Sequence, residues 1–275
     1  MTRVAINGIT GQMGESLLAT AANRDDVTAV VGIAPRPDDV EAVPTDIPAN
    51  TAQALAEYEP AVVVDFSTPA GTETVARAAA ETDTPLVVGT TGLGETEHAA
   101  LADASQTVPV LVASNFARGI HALLEALDAA LEALPGYDIE VVETHHNRKQ
   151  DAPSGTAETI LDRIATHREF EAVPGREGHQ PRTEGEVGMF VRRAGDVRGE
   201  HEVLLADNDE VVTLTHRAED RAVFAAGALD AAVWLAGQEP GRYTFEAVLA
   251  DPIDGTVADP VERAGANSDA REGGP

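Results

Sequence analysis

The chain has 275 residues, 43% of them hydrophobic, and 47 carboxylates against 19 basic side chains leave a formal charge of −28. The lack of cysteine excludes disulfides, thiolate zinc sites and cysteine nucleophiles, the net charge argues against nucleic acid as a partner, and no apolar run is long enough for a membrane span or a signal peptide. Lys149 is the only lysine beside eighteen arginines; an acidic, alanine-rich, lysine-poor surface suggests an extreme halophile's cytoplasm, where a Debye length of roughly 3 Å at about 1 M salt removes the self-repulsion that loosens a chain charged this way.

Thr2–Asn7, TRVAIN, predicts a short strand that stops at glycine. QMGESLLATAAN then carries Met13, Leu17, Leu18 and Ala21 at helical spacing, and Val27–Ile33 reads as a second strand. AVVVDF (61–66), PLVVG (85–89) and VPVLVA (108–113) predict further strands, with helices over AGTETVARAAAE (70–81) and near 95–105. Continuous apolar strands that alternate with helices predict an α/β fold: a doubly wound parallel sheet covered on both faces.

After SNFARG the pattern changes. A helix over 119–133 ends at Pro135-Gly136, a strand follows over YDIEVVETHH, and a helix over PSGTAETILDRIATH. GEVGMFVRR, HEVLLAD and EVVTLTHR then alternate with period two, which predicts a mixed or antiparallel sheet with one covered face. DRAVFAAGALDAAVWLAGQ forms a final helix, and the tail from Glu262 has no apolar periodicity and is expected to be mobile.

Between the first strand and helix, NGITGQMG places Gly8, Gly11 and Gly14. A tight turn that brings backbone N–H groups to a pyrophosphate at a helix start has no room for Cβ atoms, and a strand, turn, helix and second strand within 33 residues is the context a Rossmann-like dinucleotide site needs. The second strand should end in a ribose reader, normally Asp or Glu. Here that stretch is Ile33-Ala34-Pro35-Arg36. Arg36 can pair with a 2′-phosphate, so NADPH is the preferred cofactor; Asp38 and Asp39 keep NADH open.

The stretch ETHHNRKQDAPSGTA, residues 143–157, gathers chemistry. His145 and His146 end a strand, Lys149 lies in the loop after it, and Ser154 suits the N-cap of a helix whose first N–H groups, at Gly155 and Thr156, form an anion site for a carboxylate or phosphate. Histidine exchanges protons near neutral pH, and lysine's ammonium can give one up, especially when neighbouring cations lower its pKa, whereas arginine practically cannot. Arginine replaces a lysine that supplies only charge, not one that donates a proton. The His spacing of a zinc hydrolase is absent, so no metal is expected.

Together VAINGITGQMG, VVVDFSTPAGT, VVGTTG, ASNFARG, ETHHNRKQDAPSGTA, REGHQPR, RAGDVRGEH and LTHRAEDRAVFAAGA resemble, in order, the 4-hydroxy-tetrahydrodipicolinate (dihydrodipicolinate) reductase family of lysine and diaminopimelate biosynthesis, from Arg3 to about Leu249. The resemblance implies that Gly8, Ile9, Thr10, Gly11, Gln12 and Met13 hold the dinucleotide, that Ala34 and Arg36 stand at its ribose, and that Gly89, Thr90, Thr91, Ala113, Ser114, Asn115 and Phe116 contact it further. His145 would be a proton donor or acceptor and Lys149 the proton donor. His146 would bind one substrate carboxylate, with Gly155 and Thr156 gripping the other. The sequence departs from the family pattern at Ala34, which is not acidic, and at Gln12, where a basic residue is frequent; both bear on cofactor preference.

The family's organisation implies a dinucleotide-binding domain at 1–116 and about 219–261, a substrate-binding and tetramerisation domain of α+β type with a mixed sheet at 117–218, and an extra tail at 262–275. A small dicarboxylate substrate and a cytoplasmic homotetramer follow from it. The glycine turn and sheet alone also allow another two-domain NAD(P)-dependent dehydrogenase, or a protein that senses NADPH without turnover; a sensor has no need of the Lys149 and His145 pair. The charge generates one expectation directly: far-UV circular dichroism should show loss of structure below roughly a few hundred millimolar salt, and equal stability in dilute buffer would contradict the halophilic reading.

Overall fold

A computed structural model describes residues 1–36 and 40–250; Asp38, Asp39 and everything from 251 on, including the 262–275 tail, lie outside the described residues. β1 (Thr2–Asn7) runs parallel to β2 (Val27–Ile33) on one side and β4 (Val62–Asp65) on the other, which is why Val4 to Asn7 are buried. β3 (Thr45–Asp46), β5 (Leu86–Val88), β6 (Pro109–Val112) and β12 (Gly241–Tyr243) complete a parallel sheet of seven strands in the order β12-β6-β5-β4-β1-β2-β3.

Alternate residues of these strands supply two separate cores, because successive side chains point to opposite faces. Val4, Ile6, Val62 and Val64 meet α1 (Gln12–Ala21) and α7 (Ala222–Leu235) through Leu17, Ala228 and Leu229. Ala5, Val31 and Val63 meet α2 (Thr51–Tyr58), α3 (Pro69–Glu81) and α4 (Glu95–Ala104) through Leu55, Val75 and Leu101. With apolar side chains required on both faces, the strands read as continuous hydrophobic runs. α7 and the short α8 (Phe245–Ala250) thus bring the end of the described chain back onto the first sheet.

The glycine turn has the sterics its sequence implies. Gly8 adopts φ +86°, and a Cβ there would lie 2.4 Å from the Phe66 carbonyl oxygen; a Cβ on Gly14 would lie 2.3 Å from the Gly8 oxygen. Next to the turn, Asp65 is fully buried at the end of β4. It accepts hydrogen bonds from Asn7 Nδ2 (2.8 Å), Ser67 Oγ (2.6 Å), Thr72 Oγ1 (2.6 Å) and Thr90 Oγ1 (2.9 Å), which pin the loops after β1, β4 and β5 together. Burial pushes its carboxyl up, against the pull of these four donors.

The second unit is a mixed sheet of β7 (Asp138–His145), β8 (Glu171–Pro174), β9 (Glu186–Arg193), β10 (Glu200–Asp207) and β11 (Glu210–Arg217), in the order β11-β10-β7-β9-β8. The β7–β9 and β8–β9 pairs are parallel, the two others antiparallel. α5 (Arg118–Ala133) and α6 (Gly155–His167) cover one face through Leu124, Leu127, Ile160 and Ile164. The opposite face carries Val142, Phe190 and Leu204, all half-buried. Among the described residues, no helix is long and apolar enough to cross a membrane.

Candidate active site

Along β7, Ile139, Val141 and Glu143 face the covered side and are buried, so Glu143 is a carboxylate on an apolar face with no exposure at all. All of its capacity is used. Oε2 lies 2.6 Å from His145 Nδ1, Oε1 accepts the Ser154 N–H at 3.0 Å, and Arg193 donates to both oxygens at 2.8 Å. Burial pushes the Glu143 carboxyl up; the hydrogen bonds and charges of His145 and Arg193 outweigh it and hold the group at about 2.

Ser154 is the N-cap of α6, its hydroxyl accepting the Ala157 N–H at 3.2 Å. The same oxygen lies 3.1 Å from Nε2 of His201, which is buried on β10 directly opposite Glu143. Burial, reinforced by neighbouring His145, pushes His201 down to about 3, so it is a neutral brace. The N–H groups of Gly155 and Thr156 open the helix and have no partner within it. Both residues line a cavity of about 470 Å³ between the two sheets.

That cavity brings together ten residues singled out by the sequence: Met13, Thr91, Ser114, Asn115 and Phe116 from the first unit, and His145, His146, Lys149, Gly155 and Thr156 from the second. Asn115 links the two sides directly, its Nδ2 donating to Thr156 Oγ1 at 2.9 Å. Lys149 is 21% exposed and its Nζ lies 2.7 Å from Asp151 Oδ2. The sequence reading weighs the cations beside Lys149; the structure pairs the lysine instead with the carboxylate two residues on. His146 follows the end of β7; burial pushes it down, helped by Arg148, Arg221, His145 and Lys149. Among the fixed charges that line the cavity, Lys149 and Arg198 are balanced by Asp151 and Glu158, inside a strongly negative protein.

The remaining predicted residues do not line this cavity. Gly8, Thr10, Gly11 and Gln12 form the turn and the start of α1, while Ile9 is buried in the core against Gly32. No side chain caps α1 at Gly11, which leaves the first N–H groups of the helix available to a pyrophosphate. Ala34 is buried at the end of β2, and Arg36 is exposed beyond it. Gly89 passes so close to the Phe66 ring that a Cβ would lie 2.2 Å from it. Thr90 accepts the Ser67 N–H and donates to Asp65, so its hydroxyl acts as an internal brace. Ala113 lines a smaller cavity beside α5 and α8. The sequence does not single out Glu143, His201 or Asp65, and it marks Arg193 only as part of a basic pair with Arg192 suited to a small anion, whereas its guanidinium pairs with Glu143. The available signal for Glu143 was an acid on the strand face that otherwise buries Ile139 and Val141.

A parallel doubly wound sheet with an uncapped glycine turn, closed against a second unit that carries ionisable groups and a free helix start, defines a pyridine-nucleotide-dependent oxidoreductase. Residues 2–116 match the family described as dihydrodipicolinate reductase, N-terminus, and residues 119–249 match dihydrodipicolinate reductase, C-terminus. The chain belongs to the dihydrodipicolinate reductase family.

Relatives named 4-hydroxy-tetrahydrodipicolinate reductase include those of Haloarcula marismortui, 56% identical over 90% of this chain and 99% of the relative, and of Natronomonas pharaonis, 51% identical over 88% and 98%. Both are halophilic archaea, as the charge suggests. The dipicolinate-bound dihydrodipicolinate reductase of Paenisporosarcina sp. TG-14 has the same fold, with a TM-score of 0.72 at 21% identity over 89% of this chain and 97% of that one.

The buried network carries a pH signature. A carboxyl held at about 2 instead of its ordinary 4.5 contributes stability above pH 4.5 that is lost as the pH falls through the range toward 2. The contribution is about 3 kcal/mol. Urea titrations at pH 6 and pH 3 should therefore show a larger loss for the parent than for Glu143→Gln. Parallel losses in the two proteins would contradict the assigned ionisation.

Proposed function

We infer that this protein reduces 4-hydroxy-tetrahydrodipicolinate, by way of dihydrodipicolinate, to tetrahydrodipicolinate in lysine and diaminopimelate biosynthesis. The observation that carries the reading is the convergence of Lys149, His145 and the free N–H groups of Gly155 and Thr156 on one cavity that also touches the nucleotide-side residues Met13 and Thr91. The substrate is a ring with two carboxylates. Gly155 and Thr156 grip one at the start of α6, where the helix dipole and unpaired N–H groups favour an anion. His146 and the surrounding cations take the other. With the 4-hydroxyl lost as water, a reduced nicotinamide would, when bound, supply a hydride for the ring carbon four positions from the nitrogen. The conjugated imine then takes up one proton, from Lys149 or from His145, both of which line the cavity.

NADPH is the preferred cofactor in this reading. Arg36 is exposed just past the end of β2, where a 2′-phosphate would lie, and the neighbouring Ala34 offers no carboxylate to a ribose. The division into a nucleotide domain (1–116 and about 219–261) and a substrate and tetramerisation domain (117–218) is supported by the return of α7 to the first sheet. The half-buried Val142, Phe190 and Leu204 on the open face of the second sheet support a homotetramer built through that sheet. A cytoplasmic location suits a biosynthetic reductase with an acidic, salt-adapted surface.

The test is nucleotide consumption with freshly generated 4-hydroxy-tetrahydrodipicolinate in molar KCl. The parent should turn over, faster with NADPH than with NADH. Lys149→Ala should lose about 10²- to 10⁴-fold in kcat with nucleotide binding kept. An unchanged kcat would remove Lys149 from the mechanism.

A further inference from the structure

Glu143 does not line the cavity, yet the network around it reaches His145, Lys149 and the residue that caps the helix start of Gly155 and Thr156. A carboxylate buried on an apolar face is costly unless its charge and all its lone pairs are satisfied. Arg193 alone would neutralise it, since the guanidinium covers both oxygens. The other two contacts of Glu143 go to the Nδ1 of His145 and to the N–H of Ser154, the residue that caps α6. Arg193 also donates to the carbonyl oxygen of Asp151 at 2.6 Å, and Asp151 holds Lys149.

We propose that Glu143 is a positioning residue for the reduction: it fixes the tautomer and orientation of His145 and ties that ring to the helix start that grips a substrate carboxylate. An ionised carboxylate only accepts, so Nδ1 carries the hydrogen toward Glu143 and Nε2 is the nitrogen left for the substrate. The local sterics agree. Gly199 lines the cavity, and a Cβ there would stand 3.1 Å from His145 Nε2, so the missing side chain leaves that nitrogen reachable. His201 packs edge-on against the ring at 5.2 Å between centroids, which limits its rotation. The charged and titratable groups around His145 are Glu143 on its own strand, Arg193 on β9, His201 on β10, and His146 and Lys149 in the turn after β7; Glu143 is the only acid paired with it among the described residues.

The proposal rests on the reading of His145 as a proton-handling group, and the experiment separates the two. Steady-state pH–rate profiles are measured with substrate and NADPH in molar KCl for the parent, Glu143→Gln and Arg193→Gln. In Glu143→Gln, kcat should fall about tenfold to a hundredfold, with the KM for NADPH within about twofold of the parent. The limb of its profile that reports the proton-carrying group should move to lower pH, because the negative charge beside the imidazole is gone. In Arg193→Gln the same limb should move to higher pH, because the carboxylate is left to the imidazole alone.

Opposite displacements are the signature. A residue that merely braces the fold would lower Tm in both variants and leave both profiles in place; that outcome, or displacement in the same direction, overturns the proposal. Should Glu143→Gln fail to fold, Arg193→Gln decides: an upward displacement supports the assignment and an unmoved limb overturns it. Parent turnover with unmoved profiles removes this proposal alone, whereas a parent without turnover removes the reading beneath it as well.

Discussion

A strand end, a helix start and a neighbouring strand meet at one carboxylate. Glu143 takes the hydrogen of His145 two residues along its own strand, the N–H of Ser154 eleven residues on, and both arms of Arg193 from the neighbouring strand. The end of β7 and the start of α6 are joined by a loop, and a loop alone would leave their spacing free to vary. A carboxylate with no exposure enforces it, since separating Arg193 would leave its charge unpaired and separating His145 or Ser154 would leave a buried lone pair unsatisfied. The distance between the His145 imidazole and the free amides of Gly155 and Thr156 is therefore set by electrostatics inside the second unit.

The first unit solves a parallel problem with the opposite balance. Asp65 collects four donors and, among the described residues, no cation, and so locks the loops after β1, β4 and β5 into one platform beside the glycine turn. Both units then present a helix start toward the same region: α1, whose glycine cap leaves its amides open, and α6, whose serine cap satisfies one amide and leaves two. The hydrogen bond from Asn115, in the loop after β6, to Thr156, at the start of α6, ties the first unit to the second beside these helix ends. In a chain of charge −28, a cavity whose Lys149 and Arg198 balance its Asp151 and Glu158 is less repulsive to an acid than the surrounding surface.

Much of this was legible in the residues. Continuous apolar runs alternating with helical spacing specify the parallel sheet, and EVVTLTHR corresponds residue for residue to β11 because strict alternation fixes both register and face. Ser154 is legible as a cap since Pro153 ends the preceding segment and a free helix start needs an oxygen. The short elements were not: β3, β8 and β12 have two to four residues each, too few to show a period, and exist because a neighbouring strand edge offers hydrogen bonds. α2 stayed hidden in TAQALAEY, where alanines blur the apolar stripe. The buried network escaped because pairings such as Glu143 with Arg193, fifty residues apart, depend on the β7–β9 register, which sequence patterning does not reveal.

The central claim is that a ring dicarboxylate is held by the start of α6 with the proton donors beside it. The most direct measurement is a crystal structure with a reduced nicotinamide nucleotide and pyridine-2,6-dicarboxylate, a stable ring diacid. The account predicts one carboxylate on the N–H groups of Gly155 and Thr156, Lys149 Nζ within hydrogen-bond distance of the bound acid, and His145 Nε2 facing the ring. Lys149 turned to bulk solvent beside an occupied pocket, or the diacid bound away from α6, would contradict it.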